Sequence, residues 1–178
     1  MEKNIILKNT LKRNLWILRN IICSNTLAFV IWVYFLKIYG LIGLLVMLGL
    51  LDIVLLGLMG VFIHRQYYSF EKKRLINISG NTARFFYEGK LIKEVDRNDI
   101  NRIILIDKIM NDGNSFPTFV DSYFFFTIML NDGTHMIITC LMHPMLKNII
   151  KEWSKIEIEH KNVFFPFLGS KSLASLLK

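Results

Sequence analysis

The chain has 178 residues, a formal net charge of +8 and 53% hydrophobic residues. This length predicts one domain with attachments, and basic charge combined with high apolar content favours anionic lipid as a partner over DNA. The two cysteines, Cys23 and Cys140, form no cluster with each other or with histidine. This spacing argues against a disulfide scaffold and a zinc site, and it indicates reduced thiols.

The first 19 residues are interpreted as a basic amphipathic leader. Apolar residues recur there at roughly helical spacing: Ile5, Ile6, Leu11, Leu15 and Leu18. Basic residues lie between and beside them: Lys3, Lys8, Lys12, Arg13 and Arg19. The pattern fits a helix that approaches a membrane surface, and it fits equally a frayed tail that only sets topology.

Residues 20–64 are predicted to form a transmembrane helical hairpin. Two apolar runs, 21–36 and 41–63, are near the roughly 20 residues that a spanning helix needs, and only residues 37–40 separate them. Basic residues flank both outer ends, whereas Lys37 alone lies at the turn. The positive-inside rule therefore predicts a multi-pass protein with both termini in the cytoplasm.

An acid, Asp52, lies in the middle of the second apolar run. A carboxylate there costs about 2.5–3.5 kcal/mol. One interpretation is a neutral acid that is protonated or bonded to the polar residues 24–26; their different depth argues against that bond. The favoured interpretation is that Asp52 lines a water-filled path between several copies. Small residues would let helices approach closely, although they form no strict GxxxG motif: Gly43, Gly49, Gly57 and Gly60.

From residue 70 to residue 158 the pattern predicts a cytosolic β-rich domain. Short apolar or alternating runs, separated by turn signals, predict strands near 74–78, 83–87, 90–95, 102–107, 123–130 and 134–140. An amphipathic helix over 143–157, with Pro144 in its first turn, would then close the domain. The predicted fold class is an α+β membrane protein: a helical hairpin followed by a small antiparallel β-barrel or sandwich.

Residues 159–178 form an apolar tail, which would cover the domain, dock on a neighbour or touch lipid. No nucleophile elbow, phosphate loop, dinucleotide fingerprint or metal-ligand spacing occurs. The sequence therefore predicts no enzyme, no cofactor and no metal site.

Basic residues beside aromatic ones are the candidates for binding a ligand or lipid headgroup in the β-rich half: Arg84, Lys90, Lys93, Arg97 and Arg102. Arginine beside phenylalanine and tyrosine could hold a phosphate and stack a base. The alternative, which is favoured, is a solvated basic surface that faces lipid.

The stretches LINISGNTARFFYEGKLIKEV, DINRIILI and FFFTIMLNDGTHMIIT, followed by the 143–157 helix, resemble the pleckstrin-homology-like (PH-like) domains of bacterial membrane proteins. One strand expected from this resemblance has no clear counterpart in residues 108–122.

The whole arrangement resembles small two-helix, β-domain membrane effectors of prokaryotic antiviral defence, of the cyclic-nucleotide-linked or CRISPR-accessory type. That resemblance implies a homo-oligomer in the bacterial inner membrane that permeabilises the bilayer when a nucleotide second messenger or defence partner triggers it. Two alternatives stay open: a passive membrane-anchored scaffold that binds a protein or lipid headgroup, and a cyclic-nucleotide-sensing effector.

Overall fold

The structure is a computed structural model that describes residues 4–38, 40–108, 122–163 and 166–168. One four-stranded antiparallel sheet has the order β1 (Asn4–Lys8), β2 (Arg74–Ser79), β3 (Thr82–Tyr87) and β4 (Lys90–Asp96). Alternating residues of β2 point inward, so that Ile76 and Ile78 are buried. This alternation is what a sheet with one covered face requires.

The first strand corrects the interpretation of residues 1–19 as an amphipathic leader. Asn4–Lys8 pairs with β2 over its whole length, and Leu7 is fully buried in the core. The helix begins only at Leu11. The β-rich domain consequently starts before the helices instead of at residue 70. A five-residue strand whose partner lies about 70 residues later leaves only a weak local signal.

The second sheet is mixed and has the order β7 (His135–Thr139), β6 (Phe124–Leu130), β5 (Ile100–Lys108) and β8 (Ile158–Val163). β5, β6 and β7 are antiparallel neighbours, whereas β8 pairs with β5 in parallel. A 3-10 turn at Arg97–Asp99, capped by Asp96, carries the chain from the first sheet to the second. The six strands predicted from sequence are confirmed as β2–β7, and the unassigned segment 109–121 lies outside the described residues.

The first three residues of strand β6 lack the alternation of β2, because both faces are covered there, whereas Thr127 and Met129 further along are only partly buried. Phe124 packs edge-on against Phe126, and Lys147 of the C-terminal helix lies over the Phe124 ring. On the opposite face, Phe125 contacts Tyr67 of the second long helix. A strand covered on two sides reads as a continuous apolar run.

The C-terminal helix α3 (Leu146–Ser154) is shorter than the predicted 143–157, and Pro144 precedes it instead of occupying its first turn. Its predicted apolar face is confirmed, since Leu146, Ile149, Ile150 and Trp153 are buried. The sequence offered three roles for the apolar tail from residue 159, and the described residues fit the first, which is to cover the domain, because β8 occupies most of 158–163 and Leu168 is buried. The described part of the tail therefore covers its own domain.

Two long helices, α1 (Leu11–Ile38) and α2 (Gly40–Glu71), lie between β1 and β2 and pack against each other. They form a helical hairpin inserted into the first connection of the β-rich domain. α2 extends eight residues beyond the predicted end at residue 63. Those extra turns enter the core, where Tyr67 and Phe70 are buried.

Candidate functional site

The part of the hairpin far from the sheets exposes a band of large apolar side chains. On α1 they are Ile22, Leu27, Phe29, Val30, Ile31, Val33 and Tyr34, and on α2 they are Leu51, Leu55, Leu58, Met59, Val61 and Phe62. We call these residues the apolar band. Closer to the sheets the helices bury Ile17, Ile21 and Ile63, although Leu11, Leu15 and Trp16 stay exposed there. The hairpin is thus packed on one side near the sheets and exposes apolar side chains along the rest of its described length.

Length and composition are compatible with membrane crossing for one helical segment among the described residues, Leu11–Ile31. It starts about ten residues before the predicted first span, and its first turns contact the β-rich domain, where Arg13 donates to the Cys140 carbonyl. Most side chains of the second predicted span, residues 40–50 above all, lie outside the described residues. The assignment of two transmembrane helices stays a prediction.

Asp52, Gly43 and Gly49 all lie within α2, but their side-chain environment falls outside the described residues. Gly57 and Gly60 are buried. A Cβ at Gly57 would lie 2.1 Å from Nδ2 of Asn25, whose amide donates to the Ile21 carbonyl at 2.8 Å. Gly57 therefore permits close approach between α1 and α2 of one chain. A role for these residues between copies stays a prediction.

The hairpin joins the β-rich domain through a buried ionic contact. Glu71, at the end of α2, is fully buried. Its Oε1 accepts from the Thr139 backbone N–H at 2.9 Å, and its Oε2 accepts from Arg74 at 3.1 Å. Arg74 also donates to the Ile137 carbonyl at 2.9 Å and lies over the Phe70 ring. One carboxylate and one guanidinium thereby connect α2 to strand β7.

Burial raises the pKa of Glu71 above its ordinary value, and its interactions with Arg74 and Thr139 oppose that rise. Next to Thr139, burial raises the pKa of the Cys140 thiol to about 12. A thiol held neutral in the core is unreactive until the contact opens. Cys140 is therefore a local reporter of whether the helices stay docked on the sheet.

Aromatic residues extend the same contact toward the apolar band. Nδ1 of His64 lies 3.0 Å from the Tyr123 hydroxyl, and the Tyr67 and Tyr123 rings pack edge-on at 5.5 Å. The Tyr67 hydroxyl donates to the Pro166 carbonyl at 2.7 Å. Phe167 then packs edge-on against Phe62 of the band. We use the name helix–sheet joint for the six residues that connect α2 to the second sheet in these contacts: His64, Tyr67, Glu71, Arg74, Tyr123 and Thr139.

Reasoning from sequence did not find the helix–sheet joint. Glu71 and Arg74 stand three residues apart, a spacing that occurs on any solvated helix end. Their importance comes from burial and from contacts with residues more than 60 positions later. The one local signal is Glu71 itself. It is an acid at the end of a long apolar segment, and the charged residues around it, Arg65, Lys72, Lys73 and Arg74, are basic.

The five basic candidates are spread over both sheets instead of converging. Arg84 of β3 pairs with Glu94 at 3.1 Å, Lys93 of β4 pairs with Asp132 at 2.9 Å, and Arg102 of β5 lies 4.0 Å from Glu159. Lys90 starts β4, and Arg97 lies in the 3-10 turn. Three of the five charges are thus partly neutralised by neighbouring acids. Within the described ranges, no group of His, Cys, Asp or Glu side chains could hold a metal ion.

Among the described strands, β4 is an edge of the first sheet, and no described strand pairs with its outer side. Lys93 ties its second half to Asp132 and Thr134 in the β6–β7 turn. Its first half, Lys90–Ile92, presents two half-exposed apolar side chains, Leu91 at 52% and Ile92 at 54% exposure. A β-bulge between Phe85 and Phe86 interrupts the pairing with β3 beside them. We call Lys90–Ile92 the open edge.

Two sheets closed by a C-terminal helix, with a helical hairpin between the first two strands, define a PH-like domain with an insertion. Residues 6–149 match the model of a family described as PH domain, and the chain belongs to that family. The match begins in β1 and ends in α3, so its interval includes the whole hairpin. PH domains commonly bind lipids or proteins. No curated protein and no solved structure matches the chain significantly.

Proposed function

We propose that this protein is a membrane-anchored PH module of the bacterial cytoplasmic membrane, without catalytic activity, that recruits a partner protein to the cytoplasmic surface. The observation that carries the proposal is the apolar band. Thirteen large apolar side chains are exposed on it, far more than a water-exposed monomer tolerates in one place. Lipid around the hairpin removes that cost.

The charges on α1 support this placement and its direction. Lys12, Arg13 and Arg19 lie at the end beside the sheets, and the next basic residue is Lys37 near the far turn. Residues 19 and 37 are separated by about 27 Å along a helix that rises 1.5 Å per residue. That distance is close to the hydrocarbon thickness of about 30 Å. More positive charge at the sheet end favours a cytoplasmic β-rich domain.

The helix–sheet joint makes the anchor stiff. Only Asn9 and Thr10 separate β1 from α1, and only Lys72 and Lys73 separate α2 from β2. Both connections are too short to act as flexible tethers. The buried Glu71–Arg74 contact fixes the angle between α2 and strand β2. The domain is therefore held in one orientation over the membrane, and the open edge points in one direction.

The open edge is the surface that we assign to the partner. An edge strand offers unpaired backbone groups, and a peptide that adds a strand gains hydrogen bonds from them and specificity from side-chain pockets. Leu91 and Ile92 supply the apolar contact. Arg84 and Lys93 beside them are paired with acids, which favours a peptide over a free anion.

Two experiments test the proposal on the full chain. Alkaline carbonate extraction of bacterial membranes should leave the protein in the pellet, and tags at either terminus should resist protease added from the periplasmic side. A photo-crosslinker at Ile92 should give one discrete crosslinked protein that disappears with Leu91→Asp, whereas a crosslinker at the exposed Lys151 of α3 should not give that product. Release by carbonate, or identical products from both positions, would refute the proposal.

A second candidate is the triggered effector that oligomerises and permeabilises the membrane. Its support is the exposure of both helices in the apolar band, which leaves their outer faces available to other copies, together with an acid at position 52. Planar-bilayer conductance of the full chain tests it. Current from the wild type that Asp52→Leu removes would favour this function over the scaffold, and silent bilayers under triggering conditions would eliminate it.

A cyclic-nucleotide-sensing variant of the effector has the weakest support, because acids already pair with Arg84, Lys93 and Arg102 and partly neutralise them. Calorimetry of the detergent-solubilised chain against a panel of cyclic nucleotides tests it directly. We expect no heat of binding, and a saturable signal that Arg84→Gln removes would overturn this ranking.

A further inference from the structure

One face of the first sheet stays accessible in the described part of the chain. Ile76, Ile78 and Phe85 turn toward the core and are buried. Leu75 and Phe86, their neighbours in the strands, turn the opposite way, are only partly buried and lie outside the core cluster. We call this side of the sheet the outer face. An antiparallel sheet normally presents polar side chains on a face that water reaches, so apolar residues there indicate a contact surface.

Strand register arranges the outer face into two rows. The row nearest the helices is, in strand order, Lys8, Leu75, Phe86 and Leu91, and the next row is Ile6, Asn77, Arg84 and Glu94. Directly opposite side chains on one face lie about 4.5–5.5 Å apart, so each row is continuous. Leu75 and Phe86 form the apolar centre. Ile6 and Leu91, which are 54% and 52% exposed, lie at its two sides.

Opposite charges lie on the two outermost strands of this face. Lys8 on β1 is exposed and pairs with no acid among the described residues. Glu94 on β4 pairs with Arg84, yet its side chain stays 43% exposed and can accept a second cation. A two-fold interface brings each residue against a different residue of the same surface. A cation on one side and an anion on the other therefore make the outer face complementary to itself.

The outer face is small, which makes the membrane important. Four strands about 4.8 Å apart, with about 3.4 Å for each of five residues, give a flat area of ~330 Å² per copy. A standard stable interface buries about 800 Å² per partner. Copies anchored as proposed above already share one plane and one orientation, so they lose less freedom when they associate. The expected dimer is therefore weak in detergent and favoured in the bilayer.

Anchoring also fixes the symmetry axis. Two copies in one membrane have the same orientation, so a two-fold axis between them must run along the membrane normal. Lys8 ends β1 beside α1, and Arg74 starts β2 beside α2, so these strands lead away from the membrane side of the domain. The axis consequently follows the strands, and the two outer faces stack with aligned strands, as sheets do in β-sandwiches.

We propose that the outer face of the first sheet binds the same face of a second copy, which gives a two-fold dimer at the cytoplasmic surface. Leu75 and Phe86 of each copy pack against Phe86 and Leu75 of the other. Lys8 lies over Leu91 of the second copy and forms an ion pair with its Glu94. This dimer covers a face of the sheet and leaves the backbone of the open edge free. It thus goes beyond the recruitment of a partner, but it rests on the proposed anchoring.

Photo-crosslinking of the full chain in bacterial membranes tests the contact. Two differently tagged copies are expressed together, each with a benzophenone amino acid in place of Phe86. Irradiation should give a product that carries both tags and has twice the 20.9 kDa mass of one chain. The crosslinked peptide should contain Leu75. The same amino acid in place of Lys161, an exposed residue of β8 in the second sheet, should not give this product.

Charge reversals separate the contact from any effect on folding. Lys8→Glu leaves acids on both outermost strands, and Glu94→Lys leaves bases on both. Each variant alone should lower the yield at least about fivefold, because like charges then meet at two symmetry-related places. Expressed together, the two variants should restore the product, since each charge again meets its opposite. Lys161→Glu is the matched control and should leave the yield unchanged.

Unchanged yields in both reversed variants, or a mixed pair that does not recover, would overturn the dimer. Crosslinks from position 86 only within one chain would overturn it in favour of a face covered by the chain itself, and crosslinks only to lipid would do so in favour of a face against the bilayer. If carbonate extracts the protein, the anchoring and the oriented dimer fail together. A protein that resists carbonate but never gives the doubled product refutes only the dimer.

Discussion

Replacing Arg74 by methionine tests whether the helix–sheet joint holds the hairpin on the domain. The change leaves the fully buried Glu71 without its cation, and it removes the bond to the Ile137 carbonyl and the contact with the Phe70 ring. Breaking one side of a buried ion pair typically costs about 3–5 kcal/mol. Methionine keeps much of the side-chain volume, so the loss is mainly electrostatic.

The burial of Glu71 sets an upper limit to this cost, because the carboxyl can take up a proton instead of staying charged. Its ordinary pKa is 4.5. At about pH 7, neutralisation costs about 1.36 kcal/mol for each of roughly 2.5 pH units, or ~3.4 kcal/mol. The lost bond to Ile137 adds about 1 kcal/mol. The destabilisation is therefore at most ~4 kcal/mol near pH 7 and at most ~2 kcal/mol near pH 5, because the raised pKa of Glu71 means that the wild type already bears part of this cost.

The direction of the pH effect follows from the raised pKa of Glu71. The folded state holds this proton more tightly than the unfolded state, so the contribution of Glu71 to stability is greatest below pH 4.5 and is lost as pH rises through its folded pKa. Removing Arg74 raises the folded pKa further, because the cation that opposed burial is gone. The variant should therefore lose more stability than the wild type between about pH 5 and pH 7.

The assay is labelling of Cys140 by a thiol reagent in detergent, in a background where the exposed Cys23 is replaced by alanine. Labelling requires the joint to open, so its rate reports the opening free energy. Arg102→Met is the control, since Arg102 and Glu159 form an exposed pair that contributes at most about 1 kcal/mol. An Arg74→Met penalty equal to the control, or one that does not change with pH, would refute the reasoning.

Two further predictions concern helix packing and the tail. Gly57→Ala should destabilise the wild type, because the new Cβ displaces Asn25 from its bond to the Ile21 carbonyl. In an Asn25→Ala background this clash is absent, so the same substitution should stabilise the protein by up to about 1 kcal/mol through the higher helix propensity of alanine. Thermal unfolding of the four proteins checks this, and the same sign in both backgrounds would contradict it. Tyr67→Phe should cost about 1 kcal/mol by releasing the Pro166 carbonyl and should speed proteolysis of the tail, whereas Tyr68→Phe, an exposed neighbour, should do neither.

Several elements could be read from the sequence because their signals are local. The turn Asn131–Thr134 fixes the β6–β7 hairpin, and Gly133 adopts the positive φ of +81° that this turn needs. The buried face of α3 follows from helical spacing alone. The two long helices follow from apolar runs too long for ordinary strands.

The sequence by itself determined the local elements: two apolar helices, six of the eight strands among the described residues, and the amphipathic face of α3. Only the tertiary structure showed that β1 and β8 belong to the sheets, since their partners are about 70 and 55 residues away in the chain. It also decided that the basic candidates pair with acids, and that Glu71 and Arg74 are buried where α2 meets β7. The physical reason is that periodicity reports the face of one element, whereas pairing and burial depend on which distant element covers that face.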